Sequence, residues 1–365
     1  MTEVYLVCAP ETETELFRFL QGRAESPLSP QGALQCRALV ECFRERRPDR
    51  VYASCQGSAW TAAEAIAALQ GGEVEQVEAL NELDLGAWDG CAAGNLAFDD
   101  AEMYRRFRDD LFRWGAAGAE DVEDAATRIE TWVRQAVLGA DGEAIVVVSH
   151  RYILRLLMTR LFGPEVSGEA AGQTTLWRLF GNGSVTRVAA DGDTFFIVAE
   201  NETDHVRAQR ALEDFPEHRE PDFDSTLYYQ WLRAVEYGDL FADAVESVWE
   251  EAGQTGPFRR FDLIDDASRY ETIVGDAEQI PTGCLQYGMR DGTIQILVSH
   301  PGARGVGIGT QLVGKAVMDA RARGWDRLTI TLPKQNPYRR FFENLGFESL
   351  GETKGGEAQY VKMIM

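Results

Sequence analysis

The residues best placed for chemistry fall in one stretch, Val298-Ser299-His300-Pro301-Gly302-Ala303-Arg304-Gly305-Val306-Gly307-Ile308-Gly309-Thr310. An apolar β-forming run, Ile294 to Val298, leads in, and an amphipathic run from Thr310 to Val317 leads out. The spacing therefore predicts a glycine-rich loop that opens a helix. Successive backbone N–H groups point outward there, and the helix N-terminus carries partial positive charge. Glycine lets the main chain approach a ligand that a Cβ would hold off. With the cation of Arg304 at the entrance, the chemistry expected is binding of a pyrophosphate. A tight strand-to-helix turn without a ligand is the plainer alternative. Nucleotide motifs fit less well: there is no Gly-Lys-Ser/Thr, and the Gly-x-Gly-x-x-Gly order is absent.

Two other sets of residues offer chemistry. Asn336-Pro337-Tyr338-Arg339-Arg340-Phe341-Phe342 opens a short helix that closes on Leu345-Gly346-Phe347. Far upstream, Glu82 and His150 supply a carboxyl and an imidazole, and Cys8 supplies a thiol. Positioning these groups requires a scaffold. Strands are expected at 4–8, 51–53, 144–149, 176–180, 184–189 and 194–199. Helices are expected at 30–47, 59–69, 101–115, 120–138 and 152–162. Strands alternating with helices argue a parallel-sheet α/β domain, whose ligands sit at the carboxyl ends of the strands. Residues 207–225 mix charge with Pro216 and Pro221 and read as a linker with a short helix at its start. Beyond it, 228–236 and 240–251 read as amphipathic helices. Strands follow at 270–274, 282–289 and 294–298, with Asp291-Gly292 as a hairpin turn. A strand at 328–332, a helix at 338–344 and closing strands at 347–350 and 359–364 complete the chain.

At 365 residues the chain has length for two full cores. The division expected is 1–206, a linker at 207–225, and 226–365. No run approaches the roughly 20 apolar residues of a membrane span. The start, Met1 to Val7, is a strand without the basic opening of a signal peptide. Six cysteines without a Cys-x-x-Cys pair read as reduced thiols of a cytoplasmic protein. The net charge is -23, and residues 226–365 hold 19 of the acidic and 15 of the basic side chains, so most of the excess precedes them. Such a surface disfavours nucleic acid and anionic membranes. It suits a cationic substrate, or serves only solubility. No metal-ligand spacing stands out, and the oligomeric state is left open.

The spacing Arg304-x-x-Gly307-x-Gly309, with Asn336 to Phe347 about thirty residues later, resembles the acyl-CoA signature of the GNAT acyltransferases over 226–365. The resemblance implies an α+β acyltransferase fold, acetyl-CoA as co-substrate and attack by an amine. It implies that Val298, Arg304, Gly305, Val306, Gly307, Ile308, Gly309, Thr310, Asn336, Phe341 and Phe342 hold CoA. It also implies that backbone near Val298-Ser299, where the strand bends at a splay, donates to the thioester oxyanion. Many relatives place a tyrosine at the position of Phe342 to protonate the leaving thiolate. Tyr338, four residues earlier, is the candidate replacement, or packs beside the acyl chain. Thr293 and Gln295 stand where some relatives carry a glutamate base. His300 follows directly, and a water chain is the further alternative.

Residues 1–206 resemble the histidine phosphatase superfamily, a three-layer α/β fold. Pro27-Leu28-Ser29-Pro30-Gln31-Gly32, Leu80 to Gly90 and Val146-Val147-Val148-Ser149-His150 carry the likeness, with Asn182 to Thr186 and Asn201 to His205. The family phosphorylates a histidine after the first strand, beside an arginine; here those positions are Ala9 and Cys8. Its other phosphate-binding arginine falls at Ser58, while Glu82 and His150 survive. Covalent catalysis needs its nucleophile, and a phosphoryl dianion needs convergent guanidinium groups. The resemblance therefore implies a phosphatase fold without phosphatase chemistry. Its surviving cleft is either hydrogen-bonded scaffolding or a pocket for another ligand. Two functions follow: an N-acetyltransferase of a small-molecule amine whose first domain gives structure or captures substrate, and a CoA-binding regulatory or scaffolding protein with both centres degenerate.

Overall fold

The computed structural model describes residues 1–140, 142–163, 180–215, 228–231, 270–277, 280–299, 304–333 and 336–364. Its strands are β1 (Thr2–Cys8), β2 (Arg50–Ala53), β3 (Val74–Gln76), β4 (Ala144–Ser149), β5 (Val185–Asp191), β6 (Thr194–Glu202), β7 (Tyr228–Trp231), β8 (Tyr270–Ala277), β9 (Ile280–Gly288), β10 (Thr293–Ser299), β11 (Arg327–Leu332), β12 (Glu348–Glu352) and β13 (Ala358–Met363). Its helices are α1 (Glu13–Leu16), α2 (Pro30–Phe43), α3 (Gly57–Ala67), α4 (Ala93–Asp99), α5 (Ala101–Asp109), α6 (Val122–Leu138), α7 (Arg151–Phe162), α8 (Asp204–Leu212), α9 (Ile308–Ala322) and α10 (Arg339–Asn344). The chain forms two compact units. The first holds Met1–Glu13, Leu20–Cys91 and Asp100–His218; the second holds Thr14–Phe19, Ala92–Asp99 and Arg219–Met365.

The first unit is built on a six-stranded sheet of order β3-β2-β4-β1-β5-β6. The pairs β2–β3, β2–β4 and β1–β4 are parallel, while β5 and β6 close one edge antiparallel. β4 reads Ala-Ile-Val-Val-Val-Ser because a central parallel strand is covered on both faces. Tyr5, Val7, Val51, Ala53, Val146 and Val148 face one core with Leu39 and Phe43 of α2 and Ala59, Ala62 and Ile66 of α3. Alternation sends Val4, Leu6, Ile145 and Val147, all buried, to the other face. α2 starts where the sequence signals it. Ser29 Oγ accepts the Gly32 N–H at 2.9 Å, and Pro30 takes the first helical position. A Cβ at Gly32 would lie 2.0 Å from the Glu11 carbonyl oxygen, so only glycine fits. The short strand β3 is absent from the sequence expectation. Of the strand expected at 176–180, residues 176–179 lie outside the described residues.

The second unit has a seven-stranded sheet of order β12-β13-β11-β10-β9-β8-β7, antiparallel except between β10 and β11. α9 packs over its centre, with Leu312, Val313, Ala316 and Val317 buried against Ile273, Leu285, Tyr287 and Ile330. The helix expected at 228–236 is corrected at its start. Tyr228–Trp231 is a strand, in register from Tyr228↔Asp276 to Trp231↔Ile273. An aromatic run has strand propensity, and an open sheet edge beside β8 decides between two patterns of similar apolar content. The second expected helix, 240–251, lies outside the described residues. The parallel ladder between β10 and β11 holds Thr293↔Thr329 and Ile294↔Ile330, and the antiparallel ladder of β10 with β9 shifts register between Ile294 and Ile296. From Ile296 to Ser299, β10 keeps only its β9 ladder among the described residues.

Candidate functional site

The glycine loop is set by backbone conformations that side chains rarely adopt. Gly305 has φ 79° and Gly307 φ 90°, ψ 12°. Gly307 is the N-cap of α9 and has no side chain to cap it. The first α9 turn carries no acidic residue, and the Gln311 N–H, at 3.0 Å from the Gly307 oxygen, makes the first helical bond. The N–H groups of Ile308, Gly309 and Thr310 therefore have no acceptor within the helix and face outward from its positive end. Arg304 is exposed and Val306 half-buried at the loop. This arrangement fits a pyrophosphate. Gly309 packs closely on the second motif: a Cβ there would lie 3.1 Å from Phe341 Cζ, so the ring would have to shift.

Beside the loop, β10 ends in Val298 and Ser299, paired with Cys284 and Gly283 of β9. Among the described residues the β11 pairing stops at Ile294, so the other backbone edge of this segment is the candidate donor to a carbonyl. Gly283, which the sequence reading did not single out, belongs to the same corner. A Cβ on it would meet the Val298 carbonyl oxygen at 2.8 Å and the Ile308 side chain at 3.1 Å. Its only sequence signal is a glycine inside a strand pattern.

The candidate proton carriers differ in placement. Phe342 is 3% exposed, in T-shaped contact with Phe341 and Phe347, and belongs to the core. Tyr338 is 52% exposed and precedes α10 as its N-cap, one turn before Phe342. Asn336 shapes that approach, its Oδ1 accepting the Tyr338 N–H at 2.7 Å. Thr293 shares a hydroxyl contact of 3.0 Å with Thr329, and Gln295 is exposed. His300 lies outside the described residues. Arg18 enters without any signal in the sequence: its Nη2 donates to the Val306 oxygen at 3.0 Å.

In the first unit, Cys8 ends β1, and Ala9, Ser58, Glu82 and His150 follow the carboxyl ends of β1, β2, β3 and β4. Each is buried. The Ala9 N–H donates to the Ser149 oxygen at 2.8 Å, and Cys8 Sγ lies 3.8 Å from the Phe180 oxygen. Ser58 sits in the first turn of α3. Glu82 is turned to the start of α7. Its Oε1 accepts the N–H groups of Leu83 and Ile153 at 2.8 and 3.0 Å, and its Oε2 that of Tyr152 at 3.0 Å. Burial nonetheless pushes its carboxyl up to about 7, against the pull of those donors and of Arg128.

His150 Nε2 is 2.8 Å from Ser54 Oγ. Ser54 gives its hydroxyl proton to Asn81 Oδ1 at 2.9 Å and accepts the Gln56 N–H at 3.2 Å. Nε2 must then donate, which assigns the neutral tautomer with its proton on Nε2. Burial, helped by the charge of Arg128, pushes the imidazole down to about 3. Gln56 completes the lock, accepting the Glu82 N–H at 2.7 Å and donating to the Gly22 oxygen at 2.9 Å. Among the described residues no disulfide forms, no cluster suited to a metal ion occurs, and no helix is long and apolar enough to cross a membrane.

Comparison with known proteins assigns both halves. A family model for the histidine phosphatase superfamily (branch 1) matches residues 4–203, and one for the acetyltransferase (GNAT) family matches 211–347. The adenosylcobalamin/alpha-ribazole phosphatase of Salmonella typhimurium is 29% identical over 160 residues, 43% of this chain and 78% of that protein. Phosphoserine phosphatase 1 of Hydrogenobacter thermophilus is 24% identical over 167 residues, 46% of this chain and 79% of its own. Among solved structures, Bacillus stearothermophilus YhfR superposes with a TM-score of 0.50 at 24% identity, covering 56% of this chain and all of that one, which shows the fold.

Proposed function

We propose, for a chain that belongs to the histidine phosphatase superfamily through residues 4–203 and carries a GNAT acetyltransferase domain over 211–347, that it transfers acetyl from acetyl-CoA to a small-molecule amine. That it is an acyltransferase follows from the family. The amine and the role of the first half are our reading. One observation carries the choice of co-substrate: the uncapped start of α9, with Gly307 left-handed and no carboxylate in the first turn.

In this reading Arg304 and the N–H groups of residues 305–310 hold the pyrophosphate, while Asn336 and Phe341 shape the wall beside it. The open edge of β10 at Val298-Ser299 donates to the thioester oxygen as it gains negative charge. The amine, with an ordinary pKa of about 10, first loses a proton to water or to a residue of the substrate cleft. Its nitrogen then bonds the acetyl carbon, the carbon–sulfur bond breaks, the leaving thiolate takes a proton from Tyr338 or solvent, and the new amide nitrogen gives up its extra proton to water, which restores the balance. Holding both reactants together supplies much of the rate.

The phosphatase-like half acts as structure or in substrate capture. Four observations support this: Ala9 and Cys8 at the nucleophile and its arginine, Ser58 at the second arginine, Glu82 bound to the start of α7, and His150 neutral and engaged with Ser54. The acidic excess before residue 226 suits a cationic amine, and nucleic acid and membrane surfaces are not its partners. The cysteines suit the reducing cytoplasm. Thiol release from acetyl-CoA across a panel of amines tests the whole reading; an amine-dependent rate supports it. A second reading, a CoA-binding regulatory protein, is favoured by the core position of Phe342. Tight CoA binding with no amine-dependent release would select it.

A further inference from the structure

The second unit contains a short segment, Thr14–Phe19, that lies within the phosphatase match and outside the acetyltransferase match. It is a built element. The Phe19 N–H donates to the Thr14 oxygen at 3.0 Å and the Arg18 N–H to the Glu15 oxygen at 2.9 Å. Phe19 forms an isolated bridge with Ala92, and the Ala93 N–H donates to the Arg18 oxygen at 3.2 Å. The segment seats on α9 at two glycines seven residues apart, which places them on one helical face. Phe17, fully buried, fills the notch at Gly314, where a Cβ would lie 2.3 Å from Phe17 Cβ. Arg18 takes the notch at Gly307, where a Cβ would lie 2.6 Å from its Nη2 and 3.2 Å from its Cζ.

Arg18 itself is held in an unusual state. Its φ is 62°, the left-handed region that a long side chain seldom occupies, and it is 8% exposed. Its Nη2 donates to the Val306 oxygen. That carbonyl shares a planar trans peptide with the Gly307 N–H, and the two point in opposite directions. A guanidinium that pins the Val306 oxygen on one side therefore fixes the plane of that peptide and aims the Gly307 N–H, at the N-cap of α9, to the other. Its charge also polarises that peptide and adds a cation within the same loop.

We infer that Arg18 is a positioning residue of the CoA pyrophosphate cradle, supplied by a segment outside the acetyltransferase match. The inference rests on the acetyl-CoA reading above. It is tested in the full-length protein by calorimetry with CoA and with pantetheine, which carries no phosphate. Arg18→Ala is expected to raise the Kd for CoA about tenfold and to leave pantetheine unchanged. Arg18→Gln, which keeps an N–H donor for Val306, is expected to recover part of the loss. Circular dichroism and thermal unfolding check that each variant is folded. If Arg18→Ala unfolds the protein, Arg18→Gln and Arg18→Lys carry the comparison, with Lys the weaker because its point charge lacks the fixed fork of donors that reaches Val306. A folded variant that binds CoA as the wild type does, or that loses both ligands equally, overturns the inference alone. A wild type that does not take CoA overturns the acetyl-CoA reading and the inference with it.

Discussion

Glu82 and His150 make opposite demands on pH, and their variants should show mirror-image stability profiles. Glu82 is raised from 4.5 to about 7 by burial, so between these values the folded chain holds a proton that the unfolded chain has lost. Its contribution is full below pH 4.5 and disappears as pH rises to 7. His150 is lowered from 6.5 to about 3 by burial and by Arg128, so there the unfolded chain holds the extra proton. Its contribution is full above pH 6.5 and is lost as pH falls toward 3. In the shared window, 4.5 to 6.5, each slope is about 1.4 kcal/mol per pH unit, with opposite sign, so they cancel in the wild type.

His150→Gln keeps a donor for Ser54 and removes the titration. Its stability should fall by about 3 kcal/mol between pH 4.5 and 7. Glu82→Gln should instead gain about 3 kcal/mol from pH 4.5 to 6.5 and then level off. It also carries a constant loss of about 1–2 kcal/mol, because an amide cannot accept the Tyr152 N–H that Oε2 accepts. Asp319 is raised to about 6 by burial and titrates alike in every variant, so the comparison removes it. Urea unfolding of each variant at a series of pH values, followed by tryptophan fluorescence and compared with the wild type, reads the profiles. A flat or rising profile for His150→Gln would mean that Glu82 is ionised in the folded chain, and the assignment of a carboxyl held neutral by burial would fail.

Gly307→Glu should abolish CoA binding, since a carboxylate would stand where the pyrophosphate is expected and repel it; unchanged affinity by calorimetry refutes the cradle. Tyr338→Phe should lower kcat about tenfold or more with KM for acetyl-CoA little changed, if its hydroxyl protonates the thiolate; thiol-release kinetics with equal kcat would assign it to packing. Hydrolysis of an aryl phosphate should stay at background in the wild type, and a rate that disappears in His150→Ala would restore phosphatase chemistry to the first unit.

Much of this arrangement is legible in the chain because its signals are local. Ser29-Pro30 and Gly32 announce α2 through capping and close approach, and both hold in the structure. The loop from Arg304 to Gly309 announces a helix start because glycine takes the positive φ found at 305 and 307 without strain. The signals fail where a partner is distant. Tyr228–Trp231 becomes a strand only because β8 offers an edge more than 40 residues later. Arg18 sits in Leu-Phe-Arg-Phe-Leu, which reads as ordinary apolar chain with one charge; its partner Val306 is 288 residues away. Glu82 and His150 were recognisable as survivors, but their engagement with α7 and Ser54 is a tertiary fact that residue types do not carry.

The insertion of Phe17 against Gly314 has a consequence for how the protein is made. Phe17 leaves the ribosome roughly 300 residues before its seat on α9, an interval of about 15–60 s at ordinary elongation rates. During that interval the ring has no finished pocket, so the second unit cannot complete its core until α9 is made. The contact has a high sequence separation, which slows folding. The second unit thus matures only after α9 emerges, around a segment laid down long before it.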